Sequence, residues 1–171
     1  MIRTLATTAL LALTPTLCLA TPITPSDGWQ TFYFGDAGSA WLDAPAFDDA
    51  ALPTRFEFTL DGPARLDVTD LGLAGDRFEV VVNGVRLGLT SAMPINDTDV
   101  GLDFDTAFTS PAWSHGSWTL AAGTYTVSGL ASDSPFGAGV GAIRLAAVPE
   151  PATIALLSAG CCLLGLRRRS R

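Results

Sequence analysis

The sequence predicts an all-β protein, an antiparallel β-sandwich of jelly-roll-like type, flanked by an N-terminal signal peptide and a C-terminal hydrophobic helix. Apolar and polar side chains alternate along most interior segments, which places one face of each strand in a core and the other in solvent. Turn-forming Gly, Pro, Asn and Asp separate these segments at short intervals. Eight or nine short strands of this kind, with no long amphipathic helix among them, favour two packed sheets.

The first 20 residues have the three parts of a secretory signal peptide. A short positive region at residues 1–3 precedes an apolar segment at residues 5–13, and Cys18 and Ala20 are small residues where a signal peptidase reads them. The apolar segment is too short to span a bilayer. We therefore expect signal peptidase to cleave after Ala20, leaving a β-sandwich domain at residues 21–148.

The interior of the chain divides into short predicted strands. Asn83-Gly84 stands between two alternating runs and indicates a type I′ turn, which requires a positive φ at both central residues. Residues 78–89 are therefore predicted to form a β-hairpin. The other predicted strands are residues 29–34, 55–60, 65–69, 100–104, 118–120, 124–130 and 140–145.

Charge and cysteine content exclude several classes of function. The chain of 171 residues has a net charge of −7, but residues 21–150 contain five arginines against all 17 acidic residues, a balance of −12. Because a domain with this negative charge repels phosphate backbones, we expect no nucleic-acid partner. The three cysteines lie at positions 18, 161 and 162, so the predicted domain has no disulfide, thiol nucleophile or thiolate metal site.

The C-terminus has three parts in a fixed order. Pro149-Glu150-Pro151 comes first, an uncharged segment at residues 152–166 follows, and the basic cluster of Arg167, Arg168 and Arg169 comes next. Positive charges stay on the cytoplasmic side of a membrane. The order therefore predicts a helix in a membrane, with the domain outside and the arginines inside.

These three parts resemble the PEP-CTERM sorting signal of Gram-negative bacteria. The resemblance covers about the last 24 residues, and the Pro-Glu-Pro sequence lies directly against the apolar segment, as in that family. It implies an exosortase, a membrane protease or transpeptidase with a cysteine nucleophile, which would cut near Pro149, Glu150 and Pro151. The domain would then be released or transferred to the cell surface.

The densest acidic segment lies at residues 96–105. Hard oxygen ligands suit Ca²⁺, although the order of residues departs from the EF-hand loop. The alternative interpretation is a solvated strand face that discourages pairing with another edge. On the predicted strand at 100–104 and its extension, four carboxylates share one face and are the candidate ligands of a structural Ca²⁺: Asp97, Asp99, Asp103 and Asp105.

The four tryptophans suggest a second kind of site. Trp29 and Trp118 fall in predicted strands and are expected in the core. Trp41 and Trp113 fall in predicted loops, where an exposed indole face would stack on a sugar ring as in carbohydrate-binding modules. We therefore take Trp41 and Trp113 as the candidate ligand-binding residues.

His115 is the only histidine, so a Ser-His-Asp triad would have to use it. Its neighbour Ser114 is poorly placed as a partner, and the sequence has no Gly-x-Ser-x-Gly elbow. We expect a loop histidine packed between aromatic residues, and no catalytic residues.

The patterns predict an exported protein with a structural or adhesive role and no enzymatic activity, and the resemblance implies exosortase processing and delivery to the cell surface or biofilm matrix. The expected partners are signal peptidase, exosortase, the inner membrane before processing, and an extracellular polysaccharide. A carbohydrate-binding module that uses Ca²⁺ is the first alternative, and a secreted hydrolase is the second.

Overall fold

Two sheets packed face to face form the domain in this computed structural model, which describes residues 19–148. The segments that alternate in the sequence become strands because alternation gives each strand one apolar face. Within the described residues the elements are β1 (Leu19–Pro22), β2 (Gln30–Phe34), β3 (Thr54–Leu60), β4 (Ala64–Asp70), β5 (Arg77–Val82), β6 (Val85–Leu89), α1 (Phe104–Thr109), β7 (His115–Leu120), β8 (Gly123–Asp133) and β9 (Gly139–Ala147).

The strand order confirms the predicted sandwich. One sheet has five strands in the order β1-β3-β8-β5-β6, and the other has four in the order β2-β9-β4-β7. Every neighbouring pair is antiparallel except β1, which runs parallel to β3. Between β2 and β9 the chain changes sheet at every connection but the β5–β6 hairpin.

The hairpin at residues 78–89 is confirmed. β5 and β6 pair across Asn83 and Gly84, whose φ angles are 51° and 76°. Two successive positive φ angles define the type I′ turn, and its twist matches that of the flanking strands.

Aromatic side chains fill the space between the sheets. Phe32 and Trp41 stack with ring centroids 3.9 Å apart, and Phe78 meets Phe32 edge-on at 5.1 Å. All three are fully buried. A Cβ on Gly129 of β8 would collide with the Trp41 ring, so only glycine leaves room for this packing.

A second, smaller core lies on the opposite face of the four-stranded sheet. Its buried members include Ala142 of β9, Ala107 of α1 and the loop residue Trp113. The segment between β6 and β7 therefore lies over the outer face of this sheet, and α1 contacts β4.

Residues 100–104 do not form the predicted strand, so that prediction is wrong. Gly101 has a positive φ of 57°, and Asp103 caps α1 by accepting a hydrogen bond from the Thr106 amide at 3.2 Å. Aspartate at this position favours a helix start, and this local bonding outweighs the alternation of Val100, Leu102 and Phe104.

The two predicted termini lie largely outside the described residues. Residues 1–18, the segment at 152–166 and the arginine cluster are among them. The expected cleavage after Ala20 falls inside β1, where Leu19 and Ala20 pair with Thr54 and Arg55. No helix within residues 19–148 is long and apolar enough to cross a membrane.

Candidate functional site

An ionic cluster lies on the outer face of the four-stranded sheet. Asp67 of β4 is fully buried there and pairs with Arg65 at 2.8 Å and Arg144 at 3.0 Å. The Ser117 hydroxyl donates a hydrogen bond to the same carboxylate at 2.6 Å. These contacts fix both arginines, so the cluster has a structural explanation.

Arg144 also connects this cluster to α1. Its guanidinium lies 4.2 Å from the Trp29 ring centroid and pairs with Asp105 at 2.9 Å. The Trp29 indole N–H donates to Asp105 at 3.0 Å. That hydrogen bond lowers the pKa of Asp105, and the positive charge of Arg144 acts in the same direction. Cation–π and ionic contacts thus attach the helix to the sheet.

The four carboxylates proposed for Ca²⁺ do not share a strand face, so that prediction of their placement is wrong. Asp99 accepts a hydrogen bond from the Gly101 amide at 2.7 Å, Asp103 caps α1, and Asp105 pairs with Arg144. Asp97 is exposed. Within residues 19–148, no three or more His, Cys, Asp or Glu side chains lie together in a group that could hold a metal ion.

Asp103 should therefore contribute to stability as a helix cap. We expect Asp103→Ala to lower the free energy of unfolding by about 1 kcal/mol, because the Thr106 amide loses its acceptor. Urea unfolding with and without Ca²⁺ measures this. Asp97→Ala, at an exposed position in the same loop, should change stability by less than about 0.5 kcal/mol. A loss at Asp103 that appears only when Ca²⁺ is present would contradict the capping role.

Trp41 and Trp113 are buried, and the prediction that they are exposed for ligand binding is wrong. Trp41 is 0% and Trp113 5% exposed. The loop before β3 folds back onto the sandwich, where the Trp41 amide donates to the Gly129 carbonyl at 3.0 Å. The indole N–H of Trp113 donates to the Gly72 carbonyl at 3.0 Å. Neither indole presents a face to a sugar.

The two tryptophans expected in the core are the more exposed pair. Trp29 and Trp118 are both half-buried. Trp29 lies under the Arg144 guanidinium on the outer face of the sheet, while Trp118 packs against the edge of the main core.

His115 starts β7 and does not lie in a loop. Its Nδ1 is 3.0 Å from the Trp113 carbonyl oxygen, and its ring meets Phe108 edge-on at 5.6 Å. The expected packing against an aromatic residue is present, and one ring nitrogen is already engaged by the backbone.

Two buried carboxyl groups were not predicted as a site. Asp70 at the end of β4 is 0% exposed, and Asp76 just before β5 is 2% exposed. Burial raises the pKa of Asp70 to about 8, and the nearby Asp76 adds to the effect. Burial also raises the pKa of Asp76 to about 6, against the lowering influence of the Ser134 hydroxyl.

Backbone amides hold Asp70 in place. Its Oδ1 accepts from the Leu71 amide at 2.9 Å, and its Oδ2 accepts from the Gly75 and Asp76 amides at 3.2 Å each. The alternation along β4 could have predicted that Asp70 faces inward, because Asp70 lies two residues beyond the inward-facing Val68. The burial of Asp76 cannot be predicted from sequence spacing alone, because it depends on contacts with distant segments.

The proposed sorting residues lie outside the described residues, directly after the last strand. β9 ends at Ala147, two positions before Pro149. A family model for the PEP-CTERM protein-sorting motif matches residues 147–171. The chain carries a PEP-CTERM motif. This motif implies an exported protein that is targeted to an exosortase.

No curated protein matches the chain. Among solved structures it is similar to the pre-peptidase C-terminal domain of a collagenase from Bacillus anthracis. The two share 9% sequence identity with a TM-score of 0.39, over 78% of this chain and 99% of that domain. We draw no functional conclusion from this likeness.

Proposed function

We propose that the chain is a structural or adhesive protein of the cell surface or extracellular matrix, delivered there by exosortase processing. The observation that carries this proposal is the PEP-CTERM motif directly behind β9. Because β9 ends two residues before Pro149, a cut near Glu150 would leave all nine described strands in one piece.

The steps of delivery follow from the order of the segments. Signal peptidase removes the N-terminal segment, and the apolar segment at residues 152–166 holds the chain in the inner membrane with Arg167, Arg168 and Arg169 on the cytoplasmic side. Exosortase then cuts near Glu150. The β-sandwich reaches the surface, where an extracellular polysaccharide is the expected partner.

A non-catalytic role is supported by how the described polar side chains are used. His115 contacts the Trp113 backbone, and the ionic cluster around Asp67 is engaged in internal pairs. The burial of Trp41 and Trp113 removes the residues on which a carbohydrate-binding module was predicted.

The test of this proposal is a change in the sorting motif. We expect Glu150→Ala to leave the full-length chain in the membrane fraction, whereas the wild-type chain is shortened and reaches the surface. Immunoblots of membrane, surface and medium fractions from an exosortase-containing host measure the difference.

Glu57→Ala is the matched control, because Glu57 is a partly exposed strand residue remote from the motif in sequence. This variant should be processed like the wild type. Normal shortening and surface delivery of Glu150→Ala would refute the proposed processing, and so would unchanged processing in a host that lacks exosortase.

A further inference from the structure

A cavity of about 410 Å³ lies at the end of the sandwich where β5 begins and β8 ends. Small-molecule sites have volumes of roughly 300–1,000 Å³, so a small ligand would fit. Ile95 on the rim is 64% exposed, so the cavity is open to solvent. The polar part of the lining includes Arg77, Asp133 and Ser134. The apolar part comes from separate loops: Ala37, Ala92, Met93, Ile95 and Pro135.

Arg77 is the exception among the arginines of the domain. None of the ion pairs among residues 19–148 includes Arg77, although acidic residues are in excess there. Its Nε donates a hydrogen bond to the Thr90 carbonyl oxygen at 2.9 Å, which fixes the guanidinium. Its terminal nitrogens have no partner among the described residues, so they can donate to a ligand. The other four described arginines each lie within 3.0 Å of a carboxylate oxygen: Arg55, Arg65, Arg86 and Arg144.

A β-bulge places an acidic side chain opposite Arg77. Phe78 pairs with Ala131, but the next pair is Arg77 with Asp133. Ser132 is therefore the extra residue of β8. Opposite charges at directly paired positions normally attract each other, yet Arg77 and Asp133 form no ion pair and both line the cavity. Bulges redirect side chains beside functional sites, and this one keeps a positive and a negative group apart at the cavity.

We propose that this cavity binds a free α-amino acid with an apolar side chain. Arg77 binds the α-carboxylate, because a guanidinium matches a carboxylate with two parallel hydrogen bonds. Asp133 binds the α-ammonium group. The apolar side chain of the ligand packs against Met93, Ile95 and Pro135.

The two opposite charges favour this ligand over other small molecules. A simple carboxylate such as a fatty acid would be repelled by Asp133, and a simple amine would be repelled by Arg77. A sugar has hydroxyl groups on all sides, and those facing Met93 and Ile95 would lose water without gaining a hydrogen bond. None of the described residues that line the cavity is aromatic, so no ring is available to stack on a sugar.

The cavity lies far from the sorting motif. Gly139, where β9 begins, lies beside Asp76, the residue before Arg77. β9 ends at Ala147, about 26 Å away along an extended strand. A domain attached through its C-terminus would therefore keep the cavity accessible. Binding does not depend on the proposed processing, so it can be measured on the full chain.

The experiment is isothermal titration calorimetry of the full chain in mild detergent at neutral pH, with L-leucine, L-methionine and L-phenylalanine as ligands. At least one of the three should bind with a Kd below about 1 mM. Two analogues of the tightest binder test the charged groups. The amide lacks the carboxylate, and the deamino acid lacks the ammonium group. Each should bind at least about tenfold more weakly than the amino acid.

Two variants test the assigned residues. Arg77→Gln should lower the affinity for the amino acid at least about tenfold, whereas the matched control Arg86→Gln, on the exposed strand β6, should bind like the wild type. If Arg77→Gln folds poorly, Asp133→Asn serves as the second variant, because Asp133 is exposed. It should weaken binding of the amino acid but not of the deamino acid.

Three results would overturn the proposal. The first is that none of the three amino acids binds with a Kd below about 1 mM. The second is that the amide and the deamino acid bind as tightly as the amino acid. The third is that Arg77→Gln and Asp133→Asn both bind like the wild type, or that Arg86→Gln weakens binding as much as Arg77→Gln.

Discussion

The protein should lose stability as the pH rises from about 4 to about 8. The pKa of Asp70 is raised from 3.8 to about 8 in the folded protein, and that of Asp76 to about 6. Between the unfolded and folded pKa values, the folded state holds more protons, so raising the pH favours unfolding. Both groups contribute to the loss of stability between pH 4 and 6, and Asp70 alone contributes between pH 6 and 8.

The expected size of this effect is several kcal/mol, since each unit of raised pKa corresponds to about 1.4 kcal/mol. Urea unfolding of the full chain at pH values between 4 and 9 measures it. Arg77 follows Asp76 in the sequence and keeps its charge over this range, and His115 of β7 pairs with Thr69, the residue before Asp70.

Two variants separate the carboxyl pair from other titrating groups. Asp76→Asn removes one carboxylate and its repulsion of Asp70, so stability at pH 8 should rise relative to the wild type. His115→Gln should leave the decline with pH unchanged. A wild-type stability that is constant or rises between pH 5 and 8 would contradict the buried pair.

Trp41→Ala should lower the free energy of unfolding by about 3–5 kcal/mol. The indole is fully buried, stacks on Phe32 at 3.9 Å and meets Phe56 and Phe78 edge-on. Alanine would remove these contacts and leave a cavity between the two sheets. Urea unfolding followed by circular dichroism measures the loss.

Phe47→Ala is the matched control for this substitution. Phe47 lies in the same connection between β2 and β3 but is 87% exposed, so its removal should change stability by less than about 0.5 kcal/mol. A Trp41→Ala variant as stable as the wild type, but with lost binding to a polysaccharide, would restore the ligand-binding interpretation.

Patterns of neighbouring residues in the sequence predict most of the strands of the fold. The β5–β6 hairpin depends on Asn83 and Gly84, whose backbone preferences act without help from distant residues. The alternation of Phe56, Phe58 and Leu60 likewise determines which face of β3 is buried. The PEP-CTERM motif could be recognised for a similar reason, since its residues are contiguous.

The candidate sites were harder to predict because they depend on contacts between distant segments. Trp41 becomes buried through a backbone hydrogen bond to Gly129, and Asp105 finds its partner Arg144 across 39 positions of sequence. The strand prediction at residues 100–104 is wrong for a local reason, because Asp103 caps a helix that begins at Phe104. The burial of Asp76 depends on β9 and the loop after β8, which no sequence spacing reveals.

The position of β9 also determines how the domain would carry a mechanical load. β9 lies inside its sheet, bonded to β2 on one side and to β4 on the other, and it is the last strand before residue 149. Tension on the chain beyond Ala147 would act along this strand and shear two hydrogen-bond ladders together. Pulling a terminal edge strand would instead peel one ladder open bond by bond. If the domain is attached through its C-terminus as proposed, this arrangement would resist tension better than one whose last strand lies at the edge of a sheet.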